Sequence, residues 1–170
     1  FPAHDGLLNL AVDAVHRAGG LFILDEVQTG FGRTGSMWGH QAFGVRPDIV
    51  TLGKPMANGL PVAGVVAEWD LLEEFGSQLP FFSTFGGGTA CIAAADAVLS
   101  VIEEEGIIDN VRRQGKTMRE GIRAVSARAG HSFVVRGEGM YFGIKISSSR
   151  LREPAEDVAS AIVNEMRESG

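Results

Sequence analysis

Lys54 is the residue whose type and setting best suit covalent chemistry. The chain has three lysines, and Lys116 and Lys145 lie in ordinary polar or strand contexts. Lys54 directly follows an apolar run and precedes small and apolar residues, where its ammonium would be poorly hydrated and would lose its proton more easily. Such an amine can form a Schiff base. On Lys54 alone, however, the favoured alternative is a lysine at a strand end that reaches solvent.

Asp25 is the second candidate, because it ends the apolar run at residues 21–24. A carboxylate can keep the nitrogen of a pyridine cofactor protonated, as such a cofactor requires when it acts as an electron sink. Ligands of open α/β sheets bind beyond the carboxyl ends of the strands, so Asp25 and Lys54 are expected to face one crevice. The alternative is an acidic residue that caps the next turn.

Other motifs do not predict a site. Residues 30–35 read GFGRTG and match G-x-G-x-x-G, but the first glycine comes five residues after Asp25 and no helical pattern follows, so a dinucleotide site is rejected. Cys91 lies on an apolar helix face and is assigned to the core. The four histidines lack the spacing of metal ligands, and no Ser-His-Asp constellation can be assembled.

The composition excludes several classes of partner. The net charge is −6 and basic residues form no long block, which argues against nucleic acid and anionic membranes. One cysteine and no apolar run of membrane-spanning length favour a reducing compartment, and a cytoplasmic location is expected. The first residues, FPAHDG, do not have the pattern of a signal peptide and include no initiator methionine.

The elements that would position these residues are those of an α/β protein. Apolar periodicity predicts helices at residues 7–18, 89–105 and 107–129 and from Pro154 onward. Continuous apolar runs at 21–25, 48–52 and 62–67 predict buried parallel strands, and two short strands are expected at 132–136 and 140–146. We place a domain boundary near Gly106, which gives units 1–105 and 106–170.

Three motifs in order resemble the class III (omega) aminotransferases, which are pyridoxal 5′-phosphate (PLP) enzymes of fold type I. They are LDEVQTGFGRTG at residues 24–35, PDIVTLGK at 47–54 and FSTFGG at 82–87. The resemblance covers essentially the whole chain and makes the functional interpretation of Lys54 and Asp25 the favoured one. It implies that residues 1–105 belong to the PLP-binding large domain, with a mainly parallel sheet, and 106–170 to a C-terminal α+β small domain.

The resemblance also implies a role for each matching residue. Lys54 would form the Schiff base with PLP and carry protons during catalysis, and Asp25 would pair with the pyridine nitrogen. Val27 would pack on the ring face and Gln28 would reach the ring hydroxyl. Thr84 would bind the cofactor phosphate of a neighbouring subunit, so a homodimer with shared active sites is expected. A hydroxyl followed by glycines suits a phosphate.

The segment GKPMANG at residues 53–59 is most similar to the branch of alanine-glyoxylate aminotransferase 2-like proteins and phosphoethanolamine phospholyases. The chain departs from the family at Gly88-Thr89, where Asn-Pro is usual. Family members are more than twice as long, and the upstream phosphate loop, the stacking aromatic residue and the downstream carboxylate-binding arginine have no counterpart here. Arg136 matches a small-domain position and is assigned structural support.

We therefore expect part of an aminotransferase that moves an amino group from an amino acid or amine to a keto acid or aldehyde. The 170 residues alone are not assumed to be active. One alternative is a PLP-dependent phospholyase acting on a phosphorylated amine. Another is a non-catalytic remnant of the fold.

Overall fold

The computed structural model describes residues 6–129, 133–146 and 154–170. The helices are α1 (Leu7–Arg17), α2 (Trp69–Gln78), α3 (Thr89–Glu104), α4 (Ile107–Ala129) and α5 (Ala155–Ser169). The strands are β1 (Ile23–Asp25), β2 (Ile49–Leu52), β3 (Gly64–Ala67), β4 (Phe133–Glu138) and β5 (Tyr141–Ile146). Two short 3-10 helices, Gly39–Phe43 and Lys54–Ala57, lie beside the ends of β1 and β2. The predicted α/β class is confirmed.

A three-stranded sheet in the order β1-β2-β3 carries the site. β1 and β2 pair in parallel, with Asp25 opposite Thr51, as expected for strands that end at the same edge. β3 was predicted to be parallel and is antiparallel to β2. The reason is its short connection, residues 53–63, which contains only one 3-10 helix, whereas a parallel return needs a longer crossover.

The strands are less buried than the continuous apolar runs predicted. Ile23 is 57% exposed and Val65 is 58% exposed, because the described helices leave much of the sheet uncovered. The buried apolar side chains lie instead on α1, β2, α3 and the segments that connect the elements. They are Val12, Val45, Leu52, Ala57, Ala95 and Ile102.

Helical periodicity predicted α1 and α3 well. Along α3 the half-buried or buried positions are Cys91, Ala94, Ala95, Val98 and Ile102. They include the predicted inner positions Cys91, Ala95, Val98 and Ile102, so that face is confirmed. This helix contacts the 3-10 helix Lys54–Ala57 and so supports the segment that carries Lys54. Helix α2 was not predicted, although Leu71, Leu72 and Phe75 have helical spacing.

Apolar spacing predicts an inner stripe along α4 at Val111, Met118, Ile122, Val125 and Ala129, and the observed inner face differs from it in part. Met118 is 43% exposed and Val125 is 47% exposed, whereas Gly115 and Ser126 are buried. The face is rotated because α4 packs against β4, which forms an antiparallel hairpin with β5. Arg119 falls outside the predicted stripe. It is instead half-buried and donates a hydrogen bond of 3.0 Å to the carbonyl oxygen of Gly139.

The remaining predicted elements are found with small shifts. The two predicted small-domain strands become the β4–β5 hairpin, although Ser132 lies outside the described residues. Pro154 immediately precedes α5, as predicted. The spacing of Val158, Ile162 and Met166 predicts the inner face of this helix, but Met166 is 70% exposed. The boundary near Gly106, between α3 and α4, stays a prediction. In the part of the chain that the structure describes, no helix is both long enough and apolar enough to cross a membrane.

The packing of α4 on the hairpin gives the first prediction, which concerns Gly115. A Cβ at this position would lie 2.1 Å from the Gly139 carbonyl oxygen, so the backbone would have to move. Gly115→Ala in the intact protein is therefore expected to lower the free energy of unfolding by about 1–3 kcal/mol. Gly121→Ala on the same helix meets no atom within 4 Å and should raise it by about 0.5–1 kcal/mol. Thermal unfolding of both variants measures these changes. Equal changes in the free energy of unfolding would contradict the packing of α4 on the β4–β5 hairpin.

Candidate active site

A cavity of about 340 Å³ opens at the carboxyl ends of β1 and β2. Four of the five residues predicted for cofactor binding line it: Asp25, Val27, Gln28 and Lys54. The parallel register explains this, because Asp25 lies opposite Thr51 and Lys54 follows three residues later. The volume is within the usual range for small-molecule sites, about 300–1,000 Å³. The prediction that Asp25 and Lys54 share a crevice is confirmed.

Asp25 is fixed through one of its two carboxylate oxygens. Its Oδ1 accepts a hydrogen bond of 2.9 Å from the Val27 backbone N–H and one of 3.2 Å from the Thr51 hydroxyl. Within the described residues, no hydrogen bond engages the other oxygen, Oδ2. The carboxylate is thus oriented by its own turn and by β2, with one oxygen available to a donor in the cavity.

Lys54 is exposed, contrary to the poorly hydrated setting expected from its neighbours in the sequence. Its Nζ donates a hydrogen bond to Gln28 Oε1, which holds the amine on the cavity wall. Its backbone φ is 42°, in the left-handed region that non-glycine residues rarely adopt. Such strain, of about 1–3 kcal/mol, is found mostly at functional sites.

Glu26, to which the sequence motifs assign no role, binds three residues that follow it in the chain through its carboxylate. It is completely buried, between the exposed Asp25 and the half-buried Val27, and it lines the cavity with both. Oε2 accepts hydrogen bonds from the Thr29 hydroxyl and, at 2.8 Å, from the Gly39 N–H. Oε1 accepts them from the His40 N–H at 2.7 Å and from His40 Nδ1 at 3.0 Å. We call this set of contacts the Glu26 clamp.

The hydrogen bonds of the clamp outweigh the cost of burying the charge. Burial raises the pKa of Glu26. The hydrogen bonds from Thr29 and from the backbone of His40 and Gly39 together lower the pKa by more than burial raises it, so the pKa lies below the ordinary 4.5. The carboxylate is therefore ionised at neutral pH. The only sequence signal for this role was a second carboxylate directly after the strand end, and nothing in the sequence indicated His40 as its partner.

The cavity also receives side chains from the β4–β5 hairpin. Glu138 and Tyr141 line it, and neither was predicted. A hydrogen bond of 3.1 Å from the Met140 N–H to the Arg33 carbonyl oxygen joins the hairpin turn to residues 30–35, the glycine-rich loop. Thr34 from that loop lines the cavity too, and its buried hydroxyl has no hydrogen-bond partner among the described residues.

Two residues singled out in the sequence lie elsewhere. Thr84 is exposed in the segment between α2 and α3 and is not among the described residues that line the cavity. Arg136 is exposed on β4 and is likewise outside the cavity lining.

Comparison with known proteins identifies the family. The family described as "Aminotransferase class-III" matches residues 1–170, and the chain belongs to it. An alanine-glyoxylate aminotransferase 2 homolog of Arabidopsis thaliana is 39% identical over 97% of this chain and 35% of its own length. An acetylornithine aminotransferase of Mycobacterium bovis is 41% identical over 87% of this chain and 36% of its own length.

Among solved structures, a phospholyase from Arthrobacter in complex with phosphoethanolamine is 42% identical. It superposes with a TM-score of 0.92 over 100% of this chain and 41% of its own. The resemblance inferred from the three motifs is confirmed, including its branch. The chain spans 35–36% of the length of the two aminotransferases.

The cofactor of this family is PLP, and the residues of the cavity fit it. A pyridinium nitrogen needs an anionic acceptor, an aldehyde needs a primary amine, and a ring face needs a branched apolar side chain. Asp25 Oδ2, Lys54 Nζ and Val27 supply these three groups on one cavity. Among the described residues no cluster of three or more metal-ligating side chains occurs.

The Glu26 clamp gives a prediction about pH. Because the folded-state pKa of Glu26 lies below the ordinary 4.5, its carboxylate contributes stability above that pH and loses it as pH falls through the folded pKa. Glu26→Gln leaves at least one backbone N–H without its acceptor, so the free energy of unfolding should fall by about 2–4 kcal/mol at pH 7. The difference from the unaltered protein should shrink below about pH 4.5. Urea unfolding of the intact protein from pH 7 to 3 measures it, and a pH-independent difference would contradict the assignment.

Proposed function

We propose that the protein carrying this chain is a PLP-dependent aminotransferase that moves an amino group from an amino acid or amine to a keto acid or aldehyde. The observation that supports this most strongly is the convergence of Asp25, Val27, Gln28 and Lys54 on one cavity in a class-III family chain. The chain covers about a third of its curated aminotransferase relatives, so the activity is proposed for the complete protein.

PLP, when bound, supplies an electron-withdrawing ring that stabilises negative charge on the substrate carbon. In our proposal Asp25 supports that property because its Oδ2 would accept a hydrogen bond from the protonated ring nitrogen, while Val27 would pack on the ring face. Gln28, which holds Lys54 in this structure, also serves as the partner of the ring hydroxyl. These residues bind and orient the ring, and their backbone is fixed by β1 and by the turn after it.

Lys54 is assigned two tasks. Its Nζ would hold the cofactor through the aldehyde carbon, and as a free amine it would move a proton to and from the substrate carbon. The position of Lys54 suits both tasks. It is the first residue of a 3-10 helix that packs against α3, and its side chain lines the cavity. The backbone of Lys54 has a left-handed conformation, of the strained kind that is found mostly at functional sites.

We further propose that the working unit is a homodimer in which Thr84 binds the cofactor phosphate of the neighbouring subunit. The segment around Thr84 supports this, because Phe82 is 85% exposed and Phe85 is 91% exposed, an unusual state for large apolar side chains. A cytoplasmic location stays a prediction from the sequence.

The adduct with the cofactor is the direct test of this proposal. The intact protein incubated with PLP should show an absorbance band near about 410–430 nm, as is usual for PLP bound to lysine. Borohydride should then fix the cofactor on the peptide that contains Lys54. Lys54→Ala should lose both signals, whereas Lys116→Ala and Lys145→Ala, the other two lysines of this chain, should keep them.

Each alternative outcome of that experiment has a definite meaning. Labelling of another residue with Lys54 unmodified would contradict the assigned role of Lys54. No band in the intact protein would contradict the proposed activity and would favour the non-catalytic interpretation of the fold.

A phospholyase is the second candidate function. The observation that favours it is the TM-score of 0.92 to the Arthrobacter phospholyase crystallised with phosphoethanolamine. Transfer and elimination begin with the same removal of a proton by Lys54, and they diverge according to whether the substrate carries a leaving group that the pocket aligns. The four cavity residues named above serve both reactions, so they do not discriminate between them.

Product analysis discriminates the two activities. The intact, PLP-loaded protein is supplied in parallel with phosphoethanolamine and with alanine plus a keto acid. An aminotransferase should form a new amino acid from the keto acid and release no inorganic phosphate, and Lys54→Ala should abolish that transfer. Release of phosphate without transfer would overturn the leading proposal in favour of the phospholyase.

A further inference from the structure

The residues that face the cavity are followed by a long segment without regular structure. Residues 27–38, between β1 and the 3-10 helix Gly39–Phe43, form only turns and bends. Val27 and Gln28 begin this segment and both line the cavity. Something other than a strand or a helix must therefore hold their backbone in place.

The Glu26 clamp closes this segment at both ends. Thr29 lies near its beginning, Gly39 and His40 follow its end, and all three donate hydrogen bonds to one buried carboxylate. The backbone of Glu26 is fixed as well, because its N–H donates to the Thr51 carbonyl oxygen and its own carbonyl oxygen accepts from the Gly30 N–H, each at 2.9 Å. A single residue thus joins β2, the start of the loop and the end of the loop.

The geometry connects the clamp to the cavity residues. Glu26 is fully buried and lies between Asp25 and Val27 in the chain, and all three residues line the cavity. A rotation of the peptide units around Glu26 would therefore displace both neighbours. The fit at the clamp leaves little room for such a rotation, because a Cβ on Gly39 would lie 2.7 Å from Thr29 Cβ and 2.9 Å from Glu26 Oε2.

Stability alone is a poor reason for such an arrangement. A buried charge pays a large desolvation cost, and well-packed apolar residues can often stabilise a fold equally well. Hydrogen bonds to a carboxylate, in contrast, fix the direction of each donor. Such precision matters at a site where a ligand must be aligned, because small displacements of the binding groups there reduce binding and activity.

We propose that Glu26 is a positioning residue, whose clamp on Thr29, Gly39 and His40 sets the orientation of Asp25, Val27 and Gln28 toward the cofactor. This inference rests on the proposed function, since it concerns the binding of PLP. The hydrogen bonds from Thr29, Gly39 and His40 occupy both carboxylate oxygens of Glu26, so in this proposal Glu26 acts through its two neighbours and the loop.

The test compares Glu26→Gln with Asp48→Asn in the intact protein. Asp48 is a matched control because its carboxylate also accepts a backbone N–H, that of Phe22 at 2.6 Å, but at the opposite end of the same strands and outside the cavity. Thr29→Val, which removes one donor and keeps the shape, is the milder variant if Glu26→Gln does not fold. Hydrogen exchange of residues 27–40 without PLP, PLP affinity, and the position of the visible absorbance band are measured for each protein.

We expect Glu26→Gln to accelerate exchange across residues 27–40, to weaken PLP binding about tenfold or more and to shift the absorbance band. Thr29→Val should change the same quantities in the same direction by less, and Asp48→Asn should leave affinity and band unchanged. Unchanged PLP affinity in Glu26→Gln, or in a folded Thr29→Val if Glu26→Gln does not fold, would overturn the inference. Equal weakening in Asp48→Asn would overturn it too, by showing a general effect of lost stability. Absence of PLP binding by the unaltered protein would overturn the proposed function itself. That outcome is seen in the unaltered protein alone, so it is distinct from a failure of the inference about Glu26.

Discussion

The parallel pairing of β1 with β2 is the constraint on which the site depends. It sets Asp25 opposite Thr51, and the chain then needs only Leu52 and Gly53 to bring Lys54 to the same edge. The pairing also gives Asp25 a hydrogen bond from Thr51 and gives the Glu26 backbone one to the Thr51 carbonyl oxygen. A shift of this register by one residue would exchange inward and outward side chains and would bury Asp25 in place of Glu26.

Features that cost free energy are concentrated around this edge. Lys54 has a left-handed backbone, Glu26 is a fully buried carboxylate, and the buried Thr34 hydroxyl has no hydrogen-bond partner among the described residues. Each would be unfavourable in an ordinary part of a fold, and departures from local rules of this kind are expected where function requires them. Their common location supports the interpretation of the cavity as the active site, independently of the match to the family.

The sequence predicted what depends on local pattern. Apolar spacing along α3 and the runs that become β1 and β2 identified the elements, and the polar residues at the strand ends identified Asp25 and Lys54. The antiparallel direction of β3 was missed, because an apolar run does not encode which way its strand enters a sheet. Glu26 was missed because its partners Gly39 and His40 are brought to it by a loop closure. Glu138 and Tyr141 reach the cavity only through the packing of the hairpin turn on the glycine-rich loop.

The central claim is that PLP occupies the cavity between Asp25 and Lys54, and a crystal structure of the intact protein grown with PLP tests it most directly. The account predicts electron density continuous from Lys54 Nζ to the cofactor, with the pyridine nitrogen within hydrogen-bond distance of Asp25 Oδ2 and the Glu26 clamp intact. Cofactor density at another lysine, or a ring whose nitrogen lies away from Asp25, would contradict it.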